Sequence, residues 1–107
     1  MAAPSPREPR LSAHARGYTK QWDRLARAFR VRYPLCGMRP DQQVPVMSAC
    51  YALRVATHDL QGVVAATQTD HIIPHRAGVR SPLFWDQYNN WQSLCAACGA
   101  RKSRAGL

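Results

Sequence analysis

Asn90-Trp91-Gln92-Ser93-Leu94-Cys95-Ala96-Ala97-Cys98 ends in two cysteines separated by two residues. At that spacing two thiolates turn back onto one tetrahedral zinc ion, so the stretch supplies half of a metal site. The chain has four cysteines in all, and the other half then comes from Cys36 and Cys50. Thirteen residues lie between these two, far more than in an ordinary knuckle, but a loop containing Pro40 and Pro45 can bring them together. A redox C-x2-C motif or unligated thiols are the competing readings, although no thioredoxin-like strand-helix-strand pattern surrounds the pair. The expectation carried forward is a structural zinc held by Cys36, Cys50, Cys95 and Cys98. With every coordination position taken by protein, such an ion folds the chain and does not catalyse.

The rest of the chain explains why such a staple is useful. Its 107 residues allow one small domain, and eight prolines with six glycines leave only short stretches for regular structure. No apolar run approaches the roughly 20 residues of a membrane span. The longest aliphatic stretch is Val63-Val64-Ala65-Ala66, and Met1-Ala-Ala-Pro-Ser-Pro-Arg7 lacks the apolar segment of a signal peptide. A soluble, cytoplasmic protein without a membrane partner is expected, and a reducing compartment favours metal ligation over disulfides.

Charge is unevenly spread. The net +9 divides into +6 over residues 1–32, balance over 33–100, and +3 in the tail from Arg101, Lys102 and Arg104. Basic ends around a neutral middle suit a polyanion, and DNA is the expected partner; a merely solvated surface is the plainer alternative. Residues 1–17, rich in Pro, Ala, Ser and Arg, read as a disordered basic arm. From Thr19, an N-cap, to Tyr33 the periodicity predicts a helix with Trp22, Leu25, Ala26, Phe29 and Tyr33 on one face and Lys20, Arg24 and Arg27 opposite. Pro34 stops it. The apolar stripe is core; the basic stripe is a phosphate-contact candidate or a wet face. Residues 37–62 read as irregular with a helical turn near Cys50 to Val55, Val63 to Thr69 as a β-branched strand, and Gly78 to Asn90 as a loop plugged by Phe84-Trp85. A short basic helix after the cysteine pair runs to about Arg104, ended by Gly106.

Thr69-Asp70-His71-Ile72-Ile73-Pro74-His75 sets a carboxylate beside an imidazole at the end of that strand, about twenty residues before the cysteine pair. Taken singly, Asp70 reads as a turn cap, His71 as an interior histidine and Asn90 as a turn residue. Together with Arg16-Gly17-Tyr18, Trp22, Tyr33 to Pro40, Pro45 to Ser48 with Cys50, Leu83 to Asp86, Asn90 to Cys98 and Arg101-Lys102-Ser103, they resemble the HNH endonucleases, the ββα-metal nucleases. The likeness is to the small phage and prophage members encoded beside DNA-packaging terminases, and spans about residues 16–107.

The resemblance implies an α+β fold: a small zinc-stapled ββα-metal core over 34–107, preceded by the amphipathic helix at 18–33. It supports Cys50 as the partner of Cys36. It makes His71 the general base that takes a proton from the attacking water, and Asp70 the ligand of a catalytic Mg2+, Mn2+ or Ni2+ ion. Asn90 fixes the loop that carries the base. His75 is a second-shell or phosphate contact, and Lys20, Arg24, Arg27, Arg76, Arg101, Lys102 and Arg104 are the DNA-contacting cations. One departure stands out: where the family has Cys-His, this chain has Cys98-Gly99, so a metal-ligand histidine is lost. Magnesium keeps several waters and accepts one or two carboxylates, so Asp70 alone would place a weakly held ion. Two functions follow: an HNH-type DNA endonuclease or nickase impaired at Gly99, or a catalytically silent HNH-fold module that binds DNA or protein. Phage packaging proteins such as terminase are the partners implied beside DNA, in a bacterial host's cytoplasm. No base-reading element is evident, so DNA binding is expected to be largely sequence-independent.

Overall fold

Thr19 opens the first helix as the pattern predicts. In the computed structural model its backbone is extended and its Oγ1 accepts from the Trp22 N–H at 3.4 Å, capping helix α1, Lys20–Arg32. The structure describes residues 18–73 and 81–106; the readings made for the 1–17 arm, His75 and Arg76 lie outside them. Asp23 sits at the positive end of α1 and Arg30 and Arg32 at the negative end, both favourable with the helix dipole. Before Pro34, the Tyr33 N–H closes the last turn on the Phe29 carbonyl at 2.9 Å. Trp22, Ala26 and Phe29 are buried against Phe84 and Trp91, with Leu25 and Tyr33 partly buried beside them, so the predicted stripe is core.

Two strands pair antiparallel: β1, Gln68–His71, and β2, Trp91–Leu94, with Asp70 opposite Gln92 and His71 opposite Trp91. Every residue of β2 is buried, because Trp91 joins the aromatic cluster under α1 while Leu94 packs among the cysteines. The strand expected at Val63 to Thr69 is therefore displaced: only Gln68 and Thr69 of it belong to β1. Val63 is 52% exposed, and Ala65 makes only an isolated bridge with Leu35. Valines favour strands when they have a surface to pack on, and here the buried partner is β2, which pairs with a segment starting five residues later, at Gln68.

Helix α2, Ala49–Tyr51, continues as a wider turn through Ala52–Ala56, covering the helical turn expected near Cys50. Ser48 caps it, its Oγ accepting from the Tyr51 N–H at 3.0 Å. The stretch 81–90, expected as loop, contains a 3-10 turn at Pro82–Phe84 and helix α3, Gln87–Asn90, capped by Asp86. Phe84 is fully buried, the plug its sequence suggested. Helix α4, Ala96–Arg104, starts inside the cysteine pair, so Cys98 is already helical, and Gly106 follows its end at φ +78°. Among the described residues the result is an α+β domain of four helices and one two-stranded antiparallel sheet, with α3 between β1 and β2 and α4 directly after β2. No helix of these residues is long and apolar enough to cross a membrane.

Candidate functional site

The four cysteine sulfurs converge. Cys36 lies in the turn after Leu35, its N–H bonded to the Val64 carbonyl at 2.8 Å, and Gly37 bonds the Ser93 carbonyl of β2 at 2.6 Å. Gly37 has φ +89°, and a Cβ there would lie 2.6 Å from both Ser48 Oγ and Tyr51 Cβ, so this turn needs glycine. Cys50 comes from the first turn of α2, Cys95 from the end of β2 and Cys98 from the first turn of α4. All four Sγ atoms lie within 4.8 Å of one another, with Cys50 at 3.9 Å from Cys95 and 4.0 Å from Cys98. Thiolates about 2.3 Å from a tetrahedral zinc sit about 3.8 Å apart, so the arrangement fits one ion. The same separations are about twice a disulfide bond.

Burial pushes the Cys36 thiol above its ordinary value, against a lowering contact from Ser48 Oγ at 3.2 Å. Cys50 is pushed up to about 12, first by burial and then by the neighbouring Cys36 charge. For Cys98 burial works against the thiolate but is outweighed by backbone hydrogen bonds from Cys50 and Ala49, which bring it to about 7.

The end of β1 carries two of the expected functional residues, Asp70 and His71. His71 is buried, stacked on the Trp22 ring at 4.8 Å between centroids and 21° between planes. Its Nε2 lies 2.8 Å from the Phe84 carbonyl oxygen; a carbonyl only accepts, so Nε2 carries a proton, and in the neutral ring the lone pair falls on Nδ1. Trp91 Nε1 donates to the same carbonyl at 2.9 Å. Asn90 holds the segment after β1 in both directions: its Oδ1 accepts from the Ile73 N–H at 2.7 Å, and its Nδ2 donates to the carbonyls of Ile73 at 3.2 Å and Leu83 at 3.0 Å.

Asp70 differs from expectation. Its Oδ2 accepts from Gln92 Nε2 at 2.9 Å and pairs with Lys102 Nζ at 3.3 Å. Lys102, read as one of the DNA-contacting cations of the tail, is 4% exposed, and its Nζ also donates to the His71 carbonyl at 3.1 Å. It leaves the surface set because α4 turns it inward with Cys98 and Gly99; its place three residues after Gly99 and four after Cys98 is the signal that would have found it. Lys20, Arg24 and Arg27 on α1 and Arg101 and Arg104 on α4 are exposed, as a phosphate contact requires. Sequence reading also passed over Arg30, whose Nη1 donates to Thr69 Oγ1 at 2.9 Å beside Asp70.

Gly99 is buried against β1, and a Cβ there would overlap the side-chain amide of Gln68. That amide is the end of a flexible side chain. Gly99→Ala is therefore expected to stay within about 1 kcal/mol of the parent in chemical denaturation, the helical gain over glycine offsetting the displacement of Gln68; a loss of several kcal/mol would show that the notch is rigid. Around Asp70 the described residues supply one carboxylate, already engaged by an ammonium and an amide, and no side chain from position 99. This donor set does not fit a resident Mg2+, Mn2+ or Ni2+ ion. No protein-family model matches the chain, and neither do curated proteins or solved structures.

Proposed function

We propose that this chain is a zinc-stapled HNH-type DNA endonuclease or nickase whose general base is His71. The observation that carries this reading is the support behind the imidazole: Nε2 donates to the Phe84 carbonyl, which orients the ring and places the lone pair of the neutral imidazole on Nδ1, the atom we assign to take the proton of water. Water deprotonated there attacks phosphorus, the bond to the leaving oxygen breaks, and that oxygen is protonated by solvent. Asn90 keeps the segment after β1 in register, and Lys102 ties α4 to the carbonyl of the base-bearing residue. The four sulfurs hold a zinc ion that joins Cys36, α2, β2 and α4 and takes no part in the reaction. Exposed cations on α1 and α4 contact phosphates without reading bases. A packaging protein such as terminase is the further partner.

A second reading, a silent binding module, is favoured by Gly99 and by the ion pair on Asp70. Plasmid nicking by the zinc-loaded chain separates the two. The native chain is expected to nick supercoiled DNA, and His71→Ala to lower the rate about a hundredfold or more. Equal rates for the two would remove His71 as base, and no nicking by either would leave the binding reading. DNA affinity is expected to fall steeply with salt, less steeply after replacing Lys20, Arg24 and Arg27 by alanine. A flat salt response would point to a protein partner instead.

A further inference from the structure

We propose that the Lys102 ammonium is the resident cation of the Asp70 carboxylate, occupying the place where the HNH resemblance leads one to expect a divalent metal ion. The inference rests on that reading only for the expectation of a metal, and its test uses no cleavage. Lys102 reaches the site from α4, one turn beyond Gly99: the helix that would bring a ligand at 99 brings a positive charge instead. The ammonium is held from two sides, by Asp70 Oδ2 at 3.3 Å and the His71 carbonyl at 3.1 Å, while Gln92 Nε2 fills a further position on the same carboxylate oxygen at 2.9 Å. Asp70 keeps only 20% of its side-chain surface and Lys102 only 4%, so solvent screens the pair little.

A divalent ion on that carboxylate sits about 2.0–2.1 Å from oxygen if it is magnesium, which brings it within a few ångström of the ammonium bound to the same group. In a site this dry the repulsion is large, so the two cations exclude one another. For the metal to bind, Lys102 has to leave both of its acceptors, and a buried ammonium without its partners is strongly unfavourable. The carboxylate is thereby neutralised internally, and its role is to fix β1 to α4 at the base-bearing residue. Divalent cations are weak, competing ligands of the Asp70 site.

The test is Mn2+ titration of the full zinc-loaded chain, followed by the loss of the free-ion paramagnetic resonance signal. The native chain is expected to bind Mn2+ no better than Asp70→Asn does. Lys102→Met and Lys102→Gln are expected to tighten binding about tenfold or more, and adding Asp70→Asn to either should abolish the gain. Zinc content and circular dichroism verify that each variant is folded. Native binding that Asp70→Asn removes, or folded Lys102 variants that bind no better than native, would overturn the proposal. The native chain offers a reading independent of the variants: a slowly exchanging lysine ammonium resonance should persist in a large excess of Mg2+, and its disappearance on Mg2+ binding would equally overturn it. An inactive chain whose Lys102→Met variant gains Mn2+ affinity sinks the nuclease reading and leaves this one standing.

Discussion

Removal of zinc, or Cys98→Ser alone, is expected to unfold this chain. The elements that carry the cysteines are a turn, the short α2, the end of β2 and the nine-residue α4. Helices of that length are marginal in water without tertiary support. Their support is a cluster in which Cys36, Cys95 and Cys98 pack with Leu94, with the partly buried Cys50 and Val64 around them. Without an ion this half of the core is four thiols with little apolar surface. Structural zinc in small domains contributes about 10–16 kcal/mol, comparable to the whole stability of about 5–15 kcal/mol typical of a domain. Serine at 98 removes one thiolate and leaves three without a closed shell.

Acid should have the same effect as a chelator. Zinc needs thiolates, and in the metal-free protein Cys36 is raised by burial and Cys50 is pushed up to about 12, so both hold protons at neutral pH. Binding displaces the protons held by these thiols, so affinity rises with pH and falls as pH drops. Circular dichroism against free zinc at several pH values, with proton release followed by calorimetry in buffers of different ionisation enthalpy, measures both statements. A chelator-treated chain that keeps its helical spectrum and cooperative melt would refute the zinc staple.

The first helix was readable because three independent local signals agree at its ends and along its face: Thr19, the stripe from Trp22 to Tyr33, and Pro34. The cysteine cluster was readable from the Cys95 and Cys98 spacing and the pairing of the two leftover cysteines, which the folded chain brings within 4.8 Å. The sheet was not. Gln68-Thr69-Asp70-His71 and Trp91-Gln92-Ser93-Leu94 carry no run of β-branched residues, and β2 is buried on both faces, so it lacks the alternation that marks a half-exposed strand. Its polar members are satisfied by distant partners: Gln92 by Val46 and Asp70, Ser93 by the Tyr33 carbonyl. Such matches belong to the tertiary fold. Lys102 went astray for the opposite reason: three basic residues in a row of four read as a charged tail, whereas helical phase separates the buried one from Arg101 and Arg104.

Trp91→Ala is expected to be the most damaging substitution outside the metal cluster, at about 3–5 kcal/mol. The indole is 0% exposed at the point where β2 passes under α1. Its ring meets Trp22 at 4.9 Å, Phe29 at 5.5 Å and His71 at 6.0 Å between centroids, so truncation opens a cavity against three rings at once. It also withdraws the Nε1 donor from the Phe84 carbonyl, which His71 Nε2 still faces at 2.8 Å. Trp91→Phe separates the two contributions. It keeps most of the ring contacts and loses the donor, at about 1 kcal/mol for one net hydrogen bond, because His71 Nε2 still faces the carbonyl. Urea unfolding of the zinc-loaded proteins, with Trp85→Ala at a half-buried neighbouring ring as the reference, is expected to order the losses as Trp91→Ala, then Trp91→Phe or Trp85→Ala. Because Trp91 lies across the sheet from His71, the damage should extend to the site: nicking by Trp91→Ala should fall even under conditions where the variant remains folded. Should Trp91→Ala melt with the parent, the aromatic cluster under α1 is not what holds the base in place, and the support assigned to the Phe84 carbonyl has to come from elsewhere.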